Sequence, residues 1–380
     1  MSCIITTELM RGKLQAVKLA YRQLRDLIVR QEFILALLLA VGIILTGLFL
    51  GLENTRVVPT NPSPVAGYAQ ELHNPLHFMA HWDAPDYITI SQTGYTQAYQ
   101  TNFFPLYTLA IRLVHMVLGS ALDSALLIAW ISLVGGIYFY LKVIRCLFSV
   151  KDNADAVKGV LPFLLFPTGV FLLAPYTESL FAFLALGALY YALQKKYLIS
   201  GLFAAFATAT HVNGVFVLVL LALLLLEEHT KLTKILTTLS VGSLGLVGYM
   251  IFLFVRYHNP LEFVSAQKAH GWLQHQGYTN LAAISSVFNI LIIGLLLLAI
   301  IYWWQRRKSF AVYCFLYLCI PLLGGQFGGF NRYCLMAFPV QFMIYDRFRS
   351  SHTVFSVLIA LSGILWAYYL FQYVGGYVGG

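Results

Sequence analysis

The stretch FILALLLAVGIILTGLFLGL, residues 33–52, contains twenty consecutive residues without a charged side chain. A helix of about 20 apolar residues is long enough to cross roughly 30 Å of hydrocarbon. Only 10% of the 380 residues are charged, whereas a soluble domain has about 25%. The mean hydropathy is +0.76, and other apolar runs reach a similar length. The sequence therefore predicts an all-α fold, a polytopic transmembrane helix bundle.

The other apolar runs bring the predicted number of spans to about eleven. The segment 103–120 is also apolar, but it contains Arg112 and His115 and begins close to Pro105. We assign it to an interfacial or re-entrant helix. The predicted spans are 33–52, 125–145, 159–175, 178–193, 198–211, 213–226, 235–255, 283–304, 310–323, 333–345 and 353–371.

The distribution of positive charge supports this topology. With a cytoplasmic N-terminus, nineteen of the 24 lysines and arginines lie on the cytoplasmic side, as the positive-inside rule requires. Because these residues occupy short loops and the N-terminal segment, the net charge of +9 indicates membrane topology and not nucleic-acid binding. The five basic residues predicted on the outer side are Arg56, Arg112, Arg256, Lys268 and Arg332.

The chain is expected to have two regions. Residues 1–32 form a basic cytoplasmic N-terminus, and residues 33–380 form a single transmembrane domain. The run at 33–52 is longer than the apolar region of a signal peptide and no small-residue cleavage site follows it, so we interpret it as an uncleaved span. The two large outer loops are 53–120, which includes the interfacial helix, and 256–282.

The spacing of cysteine and histidine predicts neither a disulfide scaffold nor a metal site. The five cysteines form no CxxC or CxxH pattern. His258, His270 and His275 share one loop but form no HxxxH or HExxH pattern. We expect no metal and no other cofactor.

A polar stretch, HFMAHWDAPDYITISQTGY (residues 77–95), stands out in the first outer loop. Pro85 suits the first turn of a helix and Asp83 suits its N-cap, which is the simplest explanation of Asp83. The predicted topology nevertheless gathers further polar side chains on the same side. They are His81, Asp86, Arg112, Tyr176, Glu178, His211, Asn213 and Arg332.

Each of these residues has an ordinary structural explanation when it is taken alone. Glu178 fits the first turn of a helix, His211 fits a buried bundle histidine, and Arg332 fits an anchor in lipid headgroups. Ionisable groups near a bilayer are costly, however, and usually face an interior or an aqueous cavity. Their common location therefore predicts an outward-facing functional cavity.

Such a cavity suits the transfer of a sugar from a lipid phosphate. An arginine can bind the phosphate through two hydrogen bonds, and a carboxylate can take the proton of the acceptor hydroxyl as it attacks. Aromatic side chains such as Trp82, Tyr87 and Tyr95 would contact the sugar. The polyprenyl tail of the donor would lie between apolar spans.

The stretch also resembles the first-loop motif of the PIG-V family, whose members add the second mannose in glycosylphosphatidylinositol anchor synthesis and have bacterial relatives. Three later blocks are similar in the same order: residues 166–193, 201–217 and 331–339. His81 and His211 stand where eukaryotic members usually have arginine, and Phe166 replaces an asparagine, so we do not assign the chain to anchor synthesis. The matching first-loop residues are Trp82, Asp83, Ala84, Tyr87, Ile90, Gly94, Tyr95, Phe103, Phe104 and Pro105.

The resemblance implies a GT-C-type glycosyltransferase that inverts the anomeric carbon and takes a sugar, expected to be mannose, from a polyprenyl phosphate donor such as dolichyl phosphate mannose. In that class the first-loop aspartate is the general base, and Asp83 occupies this position. By position we assign the remaining roles to three groups. These are supporting residues (His81, Trp82, Asp86, Tyr95), donor-phosphate residues (Arg332, Arg112) and a sugar or acceptor pocket (Tyr176, Glu178, His211, Asn213).

A transporter or flippase for a lipid-linked sugar is the alternative function. Transporters often have inverted repeats and polar residues at the bilayer midplane, whereas here the polar groups gather at one face and no repeat is evident. The expected partners are a lipid-linked sugar donor, membrane lipids and an unidentified acceptor, with no nucleic acid. The expected location is a bacterial plasma membrane with the site outside, or alternatively an ER membrane with a lumenal site.

Overall fold

The structure, a computed structural model, describes residues 31–55, 69–269, 287–324 and 329–376, and within these ranges it contains helices and turns but no strand. Some predictions lie outside the described residues. They concern the N-terminal segment up to residue 30, the part of the first outer loop at 56–68, residues 270–286 with His270 and His275, and the turn at 325–328.

The helices are numbered here in chain order. They are α1 Gln31–Thr55, α2 Ala84–Thr93, α3 Pro105–Leu118, α4 Ala121–Phe148, α5 Asn153–Leu164, α6 Glu178–Leu193, α7 Tyr197–Thr210, α8 Gly214–Glu227, α9 Leu232–Gly242, α10 Leu244–Tyr257, α11 Glu262–Ala269, α12 Val287–Trp304, α13 Lys308–Gly324, α14 Phe330–Cys334, α15 Phe338–Phe348 and α16 His352–Val374. Short 3₁₀ helices lie at Ala69–His73, His77–Met79, Ala98–Asn102 and Gly169–Leu172.

Long apolar helices confirm the predicted membrane bundle. In the described part of the chain, four helical stretches are long and apolar enough to cross a membrane: Gln31–Thr55, Ala121–Phe148, Leu232–Tyr257 and His352–Val374. Shorter apolar helices pack against some of them, as α6 does against α4 and α7 against α9. The protein is therefore an integral membrane protein with an all-α fold, and α3 occupies the segment that we assigned to an interfacial helix.

Two predicted spans are divided by a longer break, and a third, 235–255, is interrupted only at Ser243 between α9 and α10. The segment 159–175 contains the end of α5 at Leu164 and then a buried turn that includes the 3₁₀ helix Gly169–Leu172. The segment 333–345 is divided between α14 and α15. A proline lacks an N–H and disfavours helical geometry in the residue before it. Pro167 follows the end of α5, and Pro339 lies in the first turn of α15, so both breaks coincide with a proline.

The bundle has two chemically different ends. At the first, which we call the basic end, Glu32 of α1 is ion-paired with Lys142 and Arg145 of α4, and Arg307 lies 2.9 Å from Glu228. In the described part of the chain, Lys195, Arg307 and the end of α4 border one pocket at this end, and Arg349 packs on Phe148. The segregation of charge that the sequence predicts is thus present in the fold, while the side of the membrane that each end faces stays a prediction.

At the opposite end, the first outer loop is tied to the helices by hydrogen bonds. The carboxylate of Glu71 accepts from the Ser120 hydroxyl (3.0 Å) and the Ala121 N–H (2.8 Å), which caps the N-terminus of α4. The Tyr249 hydroxyl of α10 donates to the carbonyl of Thr101 at 2.6 Å. The loop is therefore held between α4 and α10, and it forms a defined wall of the bundle.

Close packing between α7 and α10 allows no side chain at Gly245. The Thr208 hydroxyl of α7 donates to the Gly242 carbonyl (2.9 Å) and accepts from the Leu246 N–H (3.2 Å), and it thereby occupies the break between α9 and α10. A Cβ added at Gly245 would overlap the backbone carbonyl oxygen of Ala205, which cannot rotate away.

We predict that Gly245→Ala destabilises the protein by about 1–3 kcal/mol, the usual cost of overpacking. Gly248→Ala is the matched control, because it lies one turn along the same helix and its added methyl would meet nothing within 4 Å. The measurement is the apparent melting temperature of each purified variant in detergent. Equal melting temperatures for the two variants would contradict the close approach of α7 and α10.

Candidate active site

A buried arginine joins three distant segments at the end of the bundle opposite the basic end. Arg332 Nη1 lies 2.6 Å from Asp83 Oδ2, and Arg332 Nε lies 3.0 Å from Glu178 Oε1. The third guanidinium nitrogen, Nη2, donates to the Tyr333 hydroxyl at 3.0 Å. The side chains of Arg332 and Glu178 are each 3% exposed, whereas Asp83 is 29% exposed. Of these three charged residues, only Asp83 is substantially accessible to solvent.

Local helix boundaries place these three residues. Asp83 occupies the N-cap position of α2, as predicted, but its side chain makes no capping hydrogen bond and turns to Arg332 instead. Glu178 is the first residue of α6, also as predicted. Arg332 lies in the short helix α14, which ends at Cys334, and residues 335–337 separate it from α15. Each residue is therefore at a helix terminus, where its side chain can reach the end of the bundle.

Aromatic rings enclose the guanidinium group. Its central carbon lies 4.8 Å from the ring centroid of Tyr333, 5.0 Å from that of Tyr176 and 5.7 Å from that of Phe171. Aromatic faces attract cations more strongly in a desolvated setting. The rings therefore favour the charged guanidinium while they exclude water from it.

Two buried tyrosines fix the backbone that carries Asp83. The Tyr176 hydroxyl donates to the His81 carbonyl at 2.7 Å and accepts from the Asp83 N–H at 3.2 Å. The Tyr373 hydroxyl donates to the Met79 carbonyl at 2.9 Å. Trp82, at the centre of this loop, has φ 57°, a left-handed conformation that is unfavourable for a residue with a bulky side chain. The tyrosine hydrogen bonds hold this conformation, and the Trp82 side chain is 45% exposed.

Asp86 lies one turn into α2 and is bonded to a different partner. Its Oδ1 accepts a hydrogen bond from the Tyr99 hydroxyl at 2.9 Å. Burial raises the pKa of Asp86 to about 6, partly offset by the Tyr99 hydrogen bond, and the nearby charge of Asp83 adds to the increase. Asp86 is thus close enough to Asp83 for their charges to interact, but its carboxylate is hydrogen-bonded to Tyr99.

His81 is buried on the other side of the loop. Its ring lies edge-on against Tyr373, with 5.5 Å between ring centroids. Burial lowers the pKa of His81 to about 4, and the neighbouring His77 lowers it further. His81 is therefore a neutral packing residue at ordinary pH in this structure. Whether it supports Asp83, as we predicted from its position, stays untested.

A narrow cleft of about 10 Å³, roughly the space of one water molecule, borders Glu178 and contains most of the predicted pocket residues. His211 Nδ1 accepts from the Asn213 N–H at 3.1 Å, which leaves Nε2 as the protonated nitrogen of a neutral ring. The His211 ring lies 5.1 Å from that of Tyr333. The cleft is lined by Thr177, Glu178, Phe181, His211, Asn213, Tyr333 and Met336.

Two predicted site residues lie elsewhere. The Tyr95 hydroxyl donates to the Phe103 carbonyl at 2.6 Å, and its ring packs near Phe252 of α10. Arg112 is exposed on α3, beside exposed apolar residues such as Leu109 and Leu113. The structure gives Tyr95 a role in holding the loop and does not bring Arg112 into contact with the Asp83–Arg332–Glu178 cluster.

Among the residues that the structure describes, no group of three or more His, Cys, Asp or Glu side chains is placed to hold a metal ion. The two carboxylates at the centre of the site are paired with Arg332. Our expectation that the reaction needs no metal stays a prediction.

Several residues of this site have little or no signal in the sequence. Tyr333 follows Arg332 directly in a block that we used for the resemblance, so its position could have suggested a role. Tyr373 had no such signal, because it lies in an ordinary apolar span and its hydroxyl reaches the loop only through the fold. Tyr99 was likewise indistinguishable from other aromatic residues, whereas Phe171 belongs to the 166–193 block that resembles the family.

Comparisons with known proteins agree with the predicted family. The family model described as mannosyltransferase (PIG-V) matches residues 28–267. The GPI alpha-1,6-mannosyltransferase 2 of Rattus norvegicus is 25% identical over 231 residues, covering 56% of this chain and 46% of the relative. The human protein of that name is 29% identical over 221 residues, covering 52% and 44%. The chain thus spans about half the length of the curated relatives it matches.

An oligosaccharyltransferase from Archaeoglobus fulgidus, crystallised with zinc and sulfate, is among the solved structures that are similar to this chain. The two share 15% sequence identity and a TM-score of 0.46, over 89% of this chain and 53% of the other. The region matched by the family model includes Asp83, Glu178, His211 and Asn213, but it ends before Arg332.

We predict that the stability of the protein depends on the ionisation of Asp86 between about pH 4 and pH 6. The folded-state pKa of about 6 exceeds the ordinary value of 3.8, so the folded protein binds this proton more tightly than the unfolded chain. The resulting stability is present below pH 4 and is lost as the pH rises to 6, at about 1.4 kcal/mol per pKa unit.

The test compares wild type with Asp86→Asn, which retains an oxygen acceptor for Tyr99 but does not ionise. The difference in melting temperature, wild type minus variant, should fall as the pH rises through this window. His81 contributes with the opposite sign, since its lowered pKa makes stability fall as the pH drops from 6.5 to 4, and this contribution cancels in the difference. A constant difference would contradict the raised pKa of Asp86.

Proposed function

The chain belongs to the PIG-V mannosyltransferase family, and on this premise we propose that it is a membrane glycosyltransferase that transfers mannose from a polyprenyl phosphate to an acceptor hydroxyl. The single observation that supports this proposal most is the cluster of Asp83, Arg332 and Glu178. It places a solvent-accessible carboxylate beside a buried cation at the end of an apolar bundle.

Asp83 acts as the general base in this proposal. The acceptor oxygen attacks the anomeric carbon while Asp83 removes its proton, and the bond between the anomeric carbon and the phosphate oxygen breaks. The polyprenyl phosphate leaves with the bonding electrons, and the configuration of the sugar is inverted. The proton that Asp83 has taken is released to solvent before the next turnover.

Arg332 stabilises the phosphate that leaves. Its guanidinium is enclosed by aromatic rings, and an electrostatic interaction is stronger in such a water-excluded setting. Arg112 is a second cation that could meet the donor, since it lies among exposed apolar side chains of α3 where a lipid would approach. The polar surface formed by Glu178, His211 and Asn213 is the proposed sugar or acceptor subsite, and its narrow cleft must widen to admit either group.

We propose that the site faces the extracytoplasmic side, with the N-terminus in the cytoplasm. The gathering of basic residues at the other end of the bundle supports this orientation through the positive-inside rule. The apolar surfaces of the long helices contact lipid, and the polyprenyl chain of the donor occupies a groove between them. A bacterial plasma membrane is the proposed location, with the lumenal side of an ER membrane as the alternative.

The main experiment measures sugar transfer from radiolabelled polyprenyl phosphate mannose in nanodiscs, with a membrane-lipid extract as the acceptor pool. We expect Asp83→Asn to lower turnover by roughly 10²- to 10⁴-fold, the usual contribution of a general base. Asp123→Asn is the matched control: it makes the same change at the start of α4, where Asp123 accepts a hydrogen bond from Asn74. Near-normal turnover by a folded Asp83→Asn protein would rule out this mechanism.

We predict that Trp82→Gly separates function from stability. Glycine adopts the left-handed backbone of this position without steric cost, so the variant should be at least as stable as Trp82→Ala. Loss of an exposed aromatic contact should nevertheless weaken sugar binding, with a roughly tenfold rise in KM. Trp82→Phe retains a ring and should lie between these variants and wild type. Unchanged kinetics in Trp82→Gly would show that the indole does not contact substrate.

A further inference from the structure

In the arrangement that the structure shows, Asp83 cannot act as the base while Arg332 binds phosphate. This reasoning rests on the proposed function, in which Asp83 takes a proton and Arg332 binds phosphate. In the structure, however, these two groups are bound to each other, with 2.6 Å between Nη1 and Oδ2. A carboxylate oxygen that is bonded to a guanidinium nitrogen is not free to accept the hydrogen of an acceptor hydroxyl. A guanidinium nitrogen that faces a carboxylate, in turn, has no room for phosphate.

Accessibility shows which partner can leave. Asp83 is 29% exposed, whereas Arg332 and Glu178 are each 3% exposed. The Asp83 carboxylate is therefore the part of the cluster that borders solvent, and rotation of this one side chain would uncover Nη1. Glu178 is enclosed in the bundle and holds the Nε edge of the same guanidinium.

We propose that Arg332 exchanges partners during each turnover. The phosphate of the donor replaces the Asp83 carboxylate at Nη1, and the released Asp83 becomes the free base for the acceptor hydroxyl. Glu178 stays paired with Nε throughout and is a positioning residue that keeps the cation in place. When polyprenyl phosphate leaves, Asp83 returns to Arg332. The base is then available only while a donor is bound, so the donor binds before the acceptor is activated.

Tyr333 supplies a second contact to the same phosphate. Its hydroxyl accepts a hydrogen bond from Arg332 Nη2, which leaves its own hydrogen available to donate. Among the described residues, this hydroxyl donates no hydrogen bond. The Tyr333 hydroxyl is hydrogen-bonded to Nη2, and Nη1 is the neighbouring nitrogen of the same guanidinium. We therefore infer that one phosphate can accept hydrogen bonds from Nη1 and from this hydroxyl. The proposed role of Tyr333 is therefore to donate a hydrogen bond to the phosphate.

The first test measures binding without reaction. Polyprenyl monophosphate, the product of the proposed transfer, is titrated into the purified protein in nanodiscs of neutral lipid. If Asp83 competes with phosphate for Arg332, Asp83→Asn should bind this lipid more tightly than wild type. We expect about fivefold, the factor that corresponds to a partly exposed ion pair.

A matched variant separates competition from general charge repulsion. Asp86→Asn removes a neighbouring carboxylate that is bonded to Tyr99 and not to Arg332. It should change the affinity by less than about twofold, because the interaction of charges without contact is weak near solvent. Asp83→Ser, a second neutral variant, repeats the test should the asparagine variant fold poorly.

The second test concerns Tyr333. Tyr333→Phe retains the ring that packs on Arg332 and His211 but removes the hydroxyl, and it should weaken binding of polyprenyl monophosphate by about fivefold, the usual loss for one hydrogen bond to a charged group. Tyr317→Phe is its control, since this residue is a buried tyrosine of α13 whose hydroxyl contacts Tyr313. An equal effect of the two changes would exclude a specific contact from Tyr333.

The outcomes distinguish the inference from the proposed function. Equal or weaker binding by both neutral variants at position 83, in a protein that still transfers mannose, would overturn the exchange and leave the glycosyltransferase function in place. Absence of polyprenyl monophosphate binding in wild type and in all variants, together with no transfer, would overturn the proposed donor. Tighter binding in Asp83→Asn alongside loss of transfer is the result that both proposals require.

Discussion

The end of the bundle depends on one buried positive charge. A buried guanidinium is stable only when it is paired and hydrogen-bonded, because removal of an ion from water costs several kcal/mol even after relaxation. Arg332 meets this requirement through Asp83, Glu178 and Tyr333. Loss of either carboxylate would leave charge uncompensated in a poorly solvated place. The first outer loop, the start of α6 and the helix α14 must therefore meet for the structure to be stable.

The backbone around this charge is irregular, and side chains from neighbouring helices form hydrogen bonds with its polar groups. The chain from Phe166 to Thr177 is buried although much of it is not helical. Its polar groups are met by the Ser179 hydroxyl, which donates to the Leu172 carbonyl, and by the Trp130 N–H, which donates to the Leu173 carbonyl. Non-helical backbone at membrane depth is tolerated only where protein or water surrounds it. The irregular turn then presents Tyr176 to the loop that carries Asp83.

Charge has different uses at the two ends of the molecule. At the basic end, charged groups complete pairs between helices, as Glu32 does with Arg145, and Glu227 accepts from the Ser309 N–H at the start of α13. These contacts close gaps between neighbouring helices. At the opposite end, the Arg332 cation is shared between the buried carboxylate of Glu178 and the partly exposed carboxylate of Asp83. That asymmetry is the feature that allows one partner to be replaced while the other keeps the cation in position.

The sequence alone determined the fold class, the positions of most helices, and the residues Asp83 and Glu178 at the starts of α2 and α6. These properties depend on local pattern: apolar length, proline in a first turn, and charge in loops. Only the tertiary structure decided that Arg332 pairs with Asp83 across 249 positions, that Tyr373 supports the loop, and that Tyr95 holds that loop while Arg112 stays apart from the cluster. It also divided three predicted spans into shorter pieces. Contacts between distant segments arise from how helices pack, and neither periodicity nor composition contains that information.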